Sequence, residues 1–477
     1  METNGKSNDF FSQIHRNYLL KPNHVHKKKN ISRVLWLAFV VTMPCLAPGM
    51  SFGYSAIVLD QLSLTVSEAS WFASLPSTLM PVGCLISGPL IDRLGRKTAL
   101  MVVNFPSILG WLFLAQQPAD LTVLYVGQLL VGLSVGMAST PATIYAAECI
   151  TVNFTGLRGC FTILASIMLN FGMFLTYLLG LLLPAFVVAY IAAVVSFTSL
   201  LAICLLIPES PPWLFEQGRH GDAEFSQKVL RITQPILQTP KAAAAETTVE
   251  KPAQQTEFFV RLRDPDVYKP IVIMTTFLFF QQFSGSFVLT TYLIQILQSL
   301  NVTTNDYLVT LVAGFTNLAA MVILSALLTK SGFKQLALIS CAGVSVSMLS
   351  LSAYLYLKVD DQFLTNVVVI TCILFYMAMN GLGLRPIPYA MLGEVFPTDV
   401  AGVAGSFAAC SSSVFNFIAI KLFPYLRLWI GSGVFIMYGV LALCALIFVD
   451  KCLPDTKGKT IKQISDGFNN CKTEIII

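Results

Sequence analysis

Apolar runs long enough to cross a bilayer alternate with short polar segments, twelve times over, along this chain. The pattern predicts helices at 33–57, 71–91, 98–116, 121–147, 159–183, 185–207, 270–297, 307–329, 335–357, 365–394, 402–424 and 430–450. One long polar stretch, 208–269, parts them six and six. It holds Lys241-Ala-Ala-Ala-Ala-Glu246 and Gln254-Gln255, and reads as a linker with one or two short helices rather than a catalytic domain. The expected fold class is an all-α integral membrane protein of twelve transmembrane helices in two six-helix halves. Its parts are a tail 1–32, a bundle 33–207, the linker 208–269, a second bundle 270–450 and a tail 451–477.

Composition sharpens this picture. Of 477 residues, 55% are hydrophobic and 12% charged, too apolar for a soluble domain whose outer faces must meet water. The first 30 residues are polar, contain Lys27-Lys28-Lys29, and are not expected to act as a secretory leader. With both termini on one side of the membrane, all but four of the 30 Lys and Arg fall in segments on that side. The exceptions are Lys358, Arg385, Lys421 and Arg427. Positive charge marks the cytoplasmic face, so both termini are expected inside; the membrane expected for the protein is the plasma membrane. The net charge of +5 then reports orientation and not nucleic-acid binding.

The 11 cysteines form no C-x-x-C pair, and the four histidines, His15, His24, His26 and His220, all lie outside the apolar runs. No disulfide framework, metal, haem or other cofactor is therefore expected. Nor is catalysis, since no histidine stands near a candidate nucleophile. Asn301-Val-Thr303 is the one Asn-x-Ser/Thr triplet placed outside, as a glycosylation acceptor.

Six short motifs recur at the ends or middles of the runs. They are Gly88-Pro-Leu-Ile-Asp92-Arg93-Leu-Gly95-Arg96-Lys97, Glu148 with Arg158-Gly159, Pro208-Glu209-Ser210-Pro211, Gln281-Gln282-Phe-Ser284-Gly285, Pro386-Ile-Pro388-Tyr389 and Pro454-Asp-Thr-Lys457-Gly458. In this order they resemble the sugar-porter family of the major facilitator superfamily, over roughly residues 30–468. Lys421 and the short link into Ser70-Trp71 are similar to the insect facilitated-trehalose-transporter branch.

The resemblance implies a cytoplasmic gate at Asp92, Arg93, Gly95, Arg96, Glu148, Arg158, Glu209 and Glu394. The expected lock has Arg93 and Arg158 engaging Glu148 and Glu209. In the second half Thr329, Phe333 and Ala401 replace the family's charged residues, as Gln128 does in the first, so the lock should be lopsided. The alternative is that these charges are solvated anchors.

A sugar site needs amides and hydroxyls that both donate and accept. The resemblance assigns that work to Gln281, Gln282, Asn317 and Asn416, with Tyr292 as an outer gate. Ser284, Ser286, Ser166, Ser412 and Tyr389 complete the candidate set. Departures stand beside these matches: Phe287 and Gly381 replace polar residues, Tyr389 replaces Trp, Ser412-Ser413 replace Asn-Trp, and Ser166 replaces Gln. Arg385 stands in Gly383-Leu-Arg385-Pro386 where the family has glycine. It falls nine positions before Glu394, or about 14 Å along a helix, near the bilayer centre. Three readings stay open for it: pairing to carbonyls freed by Pro386 and Pro388, facing the pathway as an anion- or hydroxyl-binding group, or snorkelling. Ser55 occupies the place of the acid that proton-coupled relatives carry on the first helix.

The expected function is facilitated, uncoupled transport of a sugar, trehalose or a hexose, by alternating access as a monomer. Two other functions stay open: a transport-inactive sugar sensor or scaffold, and a carrier of a small organic anion using Arg385.

Overall fold

The computed structural model describes residues 36–117, 120–149, 158–230, 264–300, 302–328, 331–357, 361–396, 400–457, 463 and 468. The side chains of 139, 147, 158–162 and 401 are not part of that description. The tail 1–32, Lys241 to Glu246, Gln254-Gln255, Asn301, Thr329 and the side chains of Arg158 and Ala401 thus lie outside the described residues. Every regular element among the described residues is helical.

Twelve helices are long and apolar enough to cross a membrane. They are α1 (Trp36–Gln61), α2 (Val66–Leu94), α3 (Arg96–Leu114), α4 (Leu121–Ala146), α5 (Ile163–Leu182) and α6 (Ala185–Leu206). The second set is α7 (Pro265–Thr291), α8 (Asp306–Leu327), α9 (Phe333–Leu357), α10 (Gln362–Val395), α11 (Gly402–Ile430) and α12 (Gly433–Cys452). Large apolar side chains cover their outward faces, among them Val194, Leu205, Phe315 and Trp429, all exposed. Such a surface suits lipid and not water. Every Asp and Glu in the twelve helices sits in a first or last turn.

Packing repeats with a period of six helices. In the first half α2 packs on α4, α1 on α5, and α3 on α4 and α6. In the second, α8 packs on α10, α7 on α11, and α9 on α10 and α12. The halves join through the matching pairs α5–α8 and α2–α11. Close approach depends on small residues, since lipid tails provide no hydrophobic drive for one helix to seek another. A Cβ on Gly172 of α5 would run into the Leu46 carbonyl of α1, and one on Gly49 would meet Leu169. The run Gly132-Leu-Ser134-Val-Gly136 of α4 has the spacing of a hydrolase nucleophile elbow. Its structure is different: the glycines seat α4 against the Pro76 and Met80 carbonyls, and buried Ser134 Oγ donates to the Val131 carbonyl 2.7 Å away. It is a packing surface.

Three boundaries differ from the hydropathy pattern. α1 ends at Gln61 and α2 already starts at Val66, because Thr65 and Glu68 form a capping box. α11 runs to Ile430 through Pro424 and stops at Gly431, whose φ is 55°. α10 is interrupted by a π-helical turn, Asn380–Leu384, directly before Arg385. Pro386 lacks an N–H, and the Arg385 N–H reaches back five residues to the Asn380 carbonyl at 3.0 Å.

Candidate functional site

Two polar clusters interrupt the apolar bundle. The first gathers where α2 meets α3. Gly95, with φ 96°, turns the chain, and a Cβ there would collide with the Glu209 carboxylate. Glu209 Oε1 accepts the backbone N–H groups of Arg96 and Lys97, each at 2.9 Å, so a carboxylate caps the N-terminus of α3. The Arg96 guanidinium turns to α4, with Nη2 2.8 Å from Glu148 Oε1 and Nε 3.0 Å from Oε2. Ser210 Oγ adds a 2.5 Å bond to Glu148 Oε2. Tyr145 donates to the Pro208 carbonyl at 2.8 Å, and Lys97 Nζ to that of Cys204 at 2.8 Å. Beside this cluster burial, and after it the Glu148 carboxylate, push the Cys149 thiol well above its ordinary range.

This geometry corrects the expected lock. Arg96, not Arg93, engages Glu148, while Glu209 is held by backbone N–H groups. Arg93 and Asp92 are exposed on the last turn of α2, and Asp92 contributes only its carbonyl, to Trp213 Nε1 at 3.1 Å. The reason is register: Gly95 reverses the chain, so residue 96 points into the α3–α4 seam and residue 93 points away. All these partners belong to α2, α3, α4 and the segment after α6, so the cluster ties the first half to itself. Glu394 lies in the last turn of α10, far along the chain from it. Gln128, in place of the family's arginine, is fully buried and neither of its amide atoms is bonded.

The second cluster lies where α7, α10 and α11 meet at mid-length. Gln282 Nε2 reaches Ser412 Oγ at 2.8 Å, Gln281 Oε1 at 3.1 Å and the Tyr389 hydroxyl at 3.3 Å. Tyr389 and Ser412 are themselves 2.7 Å apart. Gln281 Nε2 donates to the Arg385 carbonyl at 2.6 Å. Ser286 Oγ donates to Asn380 Oδ1 at 2.8 Å, and Tyr376 to the Ser284 carbonyl at 3.0 Å. Among the described residues, the buried amide atoms Gln282 Oε1 and Asn380 Nδ2 in this cluster, Asn317 Oδ1 on α8 and Asn416 Oδ1 further along α11 lack a hydrogen-bond partner. Hydrogen-bonding capacity left over in a low-dielectric seam is costly unless a ligand uses it.

The remaining sequence candidates are more dispersed. Asn416 Nδ2 crosses to Ser77 Oγ on α2 at 3.0 Å, and Asn317 reaches Met377 Sδ at 3.9 Å. Ser166 is half-buried on α5 and its carbonyl accepts from Asn170. Tyr292 packs within the second half, its ring 5.0 Å from Phe423 and its hydroxyl on the Ile420 carbonyl at 3.3 Å. Gly381 leaves no room for the acid it replaces, since a Cβ would strike the Asn317 carbonyl. Lys421 does not snorkel freely: Nζ donates to Ser70 Oγ at 2.9 Å and sits 3.6 Å above the Trp71 ring.

Arg385 is 4% exposed, and carbonyl pairing is not what holds it. Its guanidinium lies 4.4 Å from the Phe287 ring of α7 and 5.7 Å from the Phe52 ring of α1. Its one side-chain hydrogen bond among the described residues is to Met173 Sδ of α5, at 3.8 Å. It therefore spans the seam between the halves. Asn380, Phe52 and Met173 escape a sequence reading. Only Asn380, an amide within an apolar run, leaves a signal there.

Twelve helices packed as a six-plus-six repeat around a polar seam define a membrane carrier of the major facilitator fold. The solved proton:xylose symporter XylE, bound to 6-bromo-6-deoxy-D-glucose, has a similar fold, with TM-score 0.73 and 21% identity over 92% of this chain and 100% of that one. The family model for "Sugar (and other) transporter" matches residues 12–468. The chain belongs to that family and is a multi-pass membrane protein. It is 31% identical to sugar transporter ERD6-like 6 of Arabidopsis thaliana, over 94% of this chain and 93% of that protein. It is 27% identical to the facilitated trehalose transporter Tret1 of Apis mellifera ligustica, over 91% and 88%.

Proposed function

We propose that the protein is a uniporter for a sugar, with trehalose and hexoses the first candidates. The observation that carries this is the Gln282–Tyr389–Ser412 cluster beside amides with unspent hydrogen-bonding capacity, chemistry matched to a polyol. The residue assignments made from sequence act here as substrate contacts: Gln281, Gln282, Ser286, Asn317, Tyr389, Ser412 and Asn416. The bundles 33–207 and 270–450 move as the two bodies of alternating access. The confinement of acids to helix ends removes a mid-membrane proton relay and favours uncoupled movement.

The charge asymmetry supports cytoplasmic termini and an outer α1–α2 turn, and the proposed location is the plasma membrane. On that orientation the contacts that join the halves cluster at the outer end and centre. Gln298 and Tyr307 both bond the Asp60 carboxylate, Gln295 bonds the Ala56 carbonyl, and Lys421 bonds Ser70. At the cytoplasmic end, Gly88, Gly393, Gly402 and Gly405 each face open space. The contacts between the halves at the outer end support reading this conformation as one closed to the outside.

The test is uptake of labelled trehalose and glucose in oocytes, with surface expression verified. Saturable uptake that falls by about tenfold or more in Gln282→Ala is the expected result. A protein at the surface that moves neither sugar would defeat the neutral-sugar reading and leave an anion carrier or a sensor.

A further inference from the structure

We infer that Arg385 makes this site selective for a sugar that bears a carboxylate, a hexuronate being the simplest form. The inference rests on the transporter reading above and deepens it. A guanidinium 96% removed from solvent needs either a counter-ion or a full set of acceptors. Arg385 has neither among the described residues. The acids of all twelve helices lie in end turns, while Arg385 stands ten residues, about 15 Å, from the end of α10 at Val395. The ion pairs Arg96–Glu148 and Arg219–Asp222 do not include Arg385. Its single side-chain hydrogen bond is the weak one to Met173 Sδ.

The surroundings fit an anion. The Phe287 and Phe52 rings, their centroids 5.2 Å apart, lie together on one side of the guanidinium and give it cation–π contact. Aromatic contact uses none of the guanidinium N–H donors, one of which goes to Met173 Sδ, and a guanidinium fork is the geometry that grips a carboxylate bidentately. Exclusion of water strengthens such a pair. The polyol part of the ligand has its own partners close by. Arg385 is tied to Gln281 through its carbonyl and to Asn380 through its N–H, and the unspent amide atoms of Gln282 and Asn380 belong to the same bonded network. A neutral sugar would use the amides and leave the cation uncompensated. A sugar acid would use both.

The experiment is uptake of labelled D-glucuronate and D-glucose into proteoliposomes holding the full-length protein, as wild type, Arg385→Gln and Arg385→Lys. The expected result is glucuronate uptake that falls at least about tenfold in Arg385→Gln, with glucose uptake changed much less. Arg385→Lys, which keeps charge but not the fork, falls between. Glucuronate movement should also respond to an imposed potassium diffusion potential, because the uncoupled substrate carries charge, whereas glucose movement should not. Equal loss of both sugars in Arg385→Gln would assign the residue to packing alone and overturn the inference. So would a wild type that carries glucose and ignores glucuronate. Should neither sugar move, the transporter reading fails separately, and binding decides. Protection of the purified wild type against thermal unfolding by glucuronate, lost in Arg385→Gln, upholds the anion site. Lack of protection in a folded wild type sinks it.

Discussion

Arg96 and Arg93 stand three residues apart in one motif and have opposite fates. Arg96 is buried against Glu148, and Arg93 is exposed. Glu148→Ala should therefore leave a buried, uncompensated guanidinium and cost about 3 kcal/mol or more. Arg93→Ala should stay within about 0.5 kcal/mol of wild type. Thermal unfolding of detergent-purified variants separates the two. Equal midpoints for both would mean the Arg96–Glu148 pair contributes nothing. Replacing both partners by apolar residues should recover much of the loss, because the desolvation cost of the surviving charge then disappears.

At the scale of the helix, the α2–α11 seam carries a prediction of its own. Lys421 joins the two helices through Ser70 and the Trp71 ring. Lys421→Met removes the hydrogen bond and the cation–π contact, together worth about 1–2 kcal/mol. Losing a contact made only in this conformation lowers its population. A cysteine placed at Gly405, beside open space, should then react more slowly with a thiol reagent supplied from the cytoplasmic side. Ala401→Arg restores a charge that the second half lacks and should slow the same reaction. Unchanged labelling in both variants would show that neither element biases the resting state. In α10 a π turn and two prolines interrupt the regular hydrogen-bond ladder where Arg385 enters the seam.

For the whole molecule, the distribution of acids bears on the proposed uncoupled mechanism. An acid in an end turn exchanges protons with the nearby solution and cannot carry one across. Sugar uptake should therefore be indifferent to a proton gradient at fixed membrane potential. Acceleration by an inward proton gradient would require a relay built from groups other than mid-helix carboxylates. The packing repeat gives the two bodies that such a cycle needs, and the seam contacts at one end show which elements must part.

Hydropathy alone reached the twelve helices, because lipid selects each apolar run by its own length and composition. The capping box at Thr65 and Glu68 was equally local and could have corrected the α1–α2 boundary. The acids' confinement to helix ends and the Gln281-Gln282 pair were also written in the chain. Which arginine would meet Glu148 was not, since it depends on the turn at Gly95 and on how α3 lies against α4. Nor could the sequence bring Phe52, Met173 and Phe287 around Arg385. These residues come from four helices and both halves, and no local pattern joins them. Local transfer energetics determined the elements, and the packing of helix against helix decided what surrounds Arg96 and Arg385.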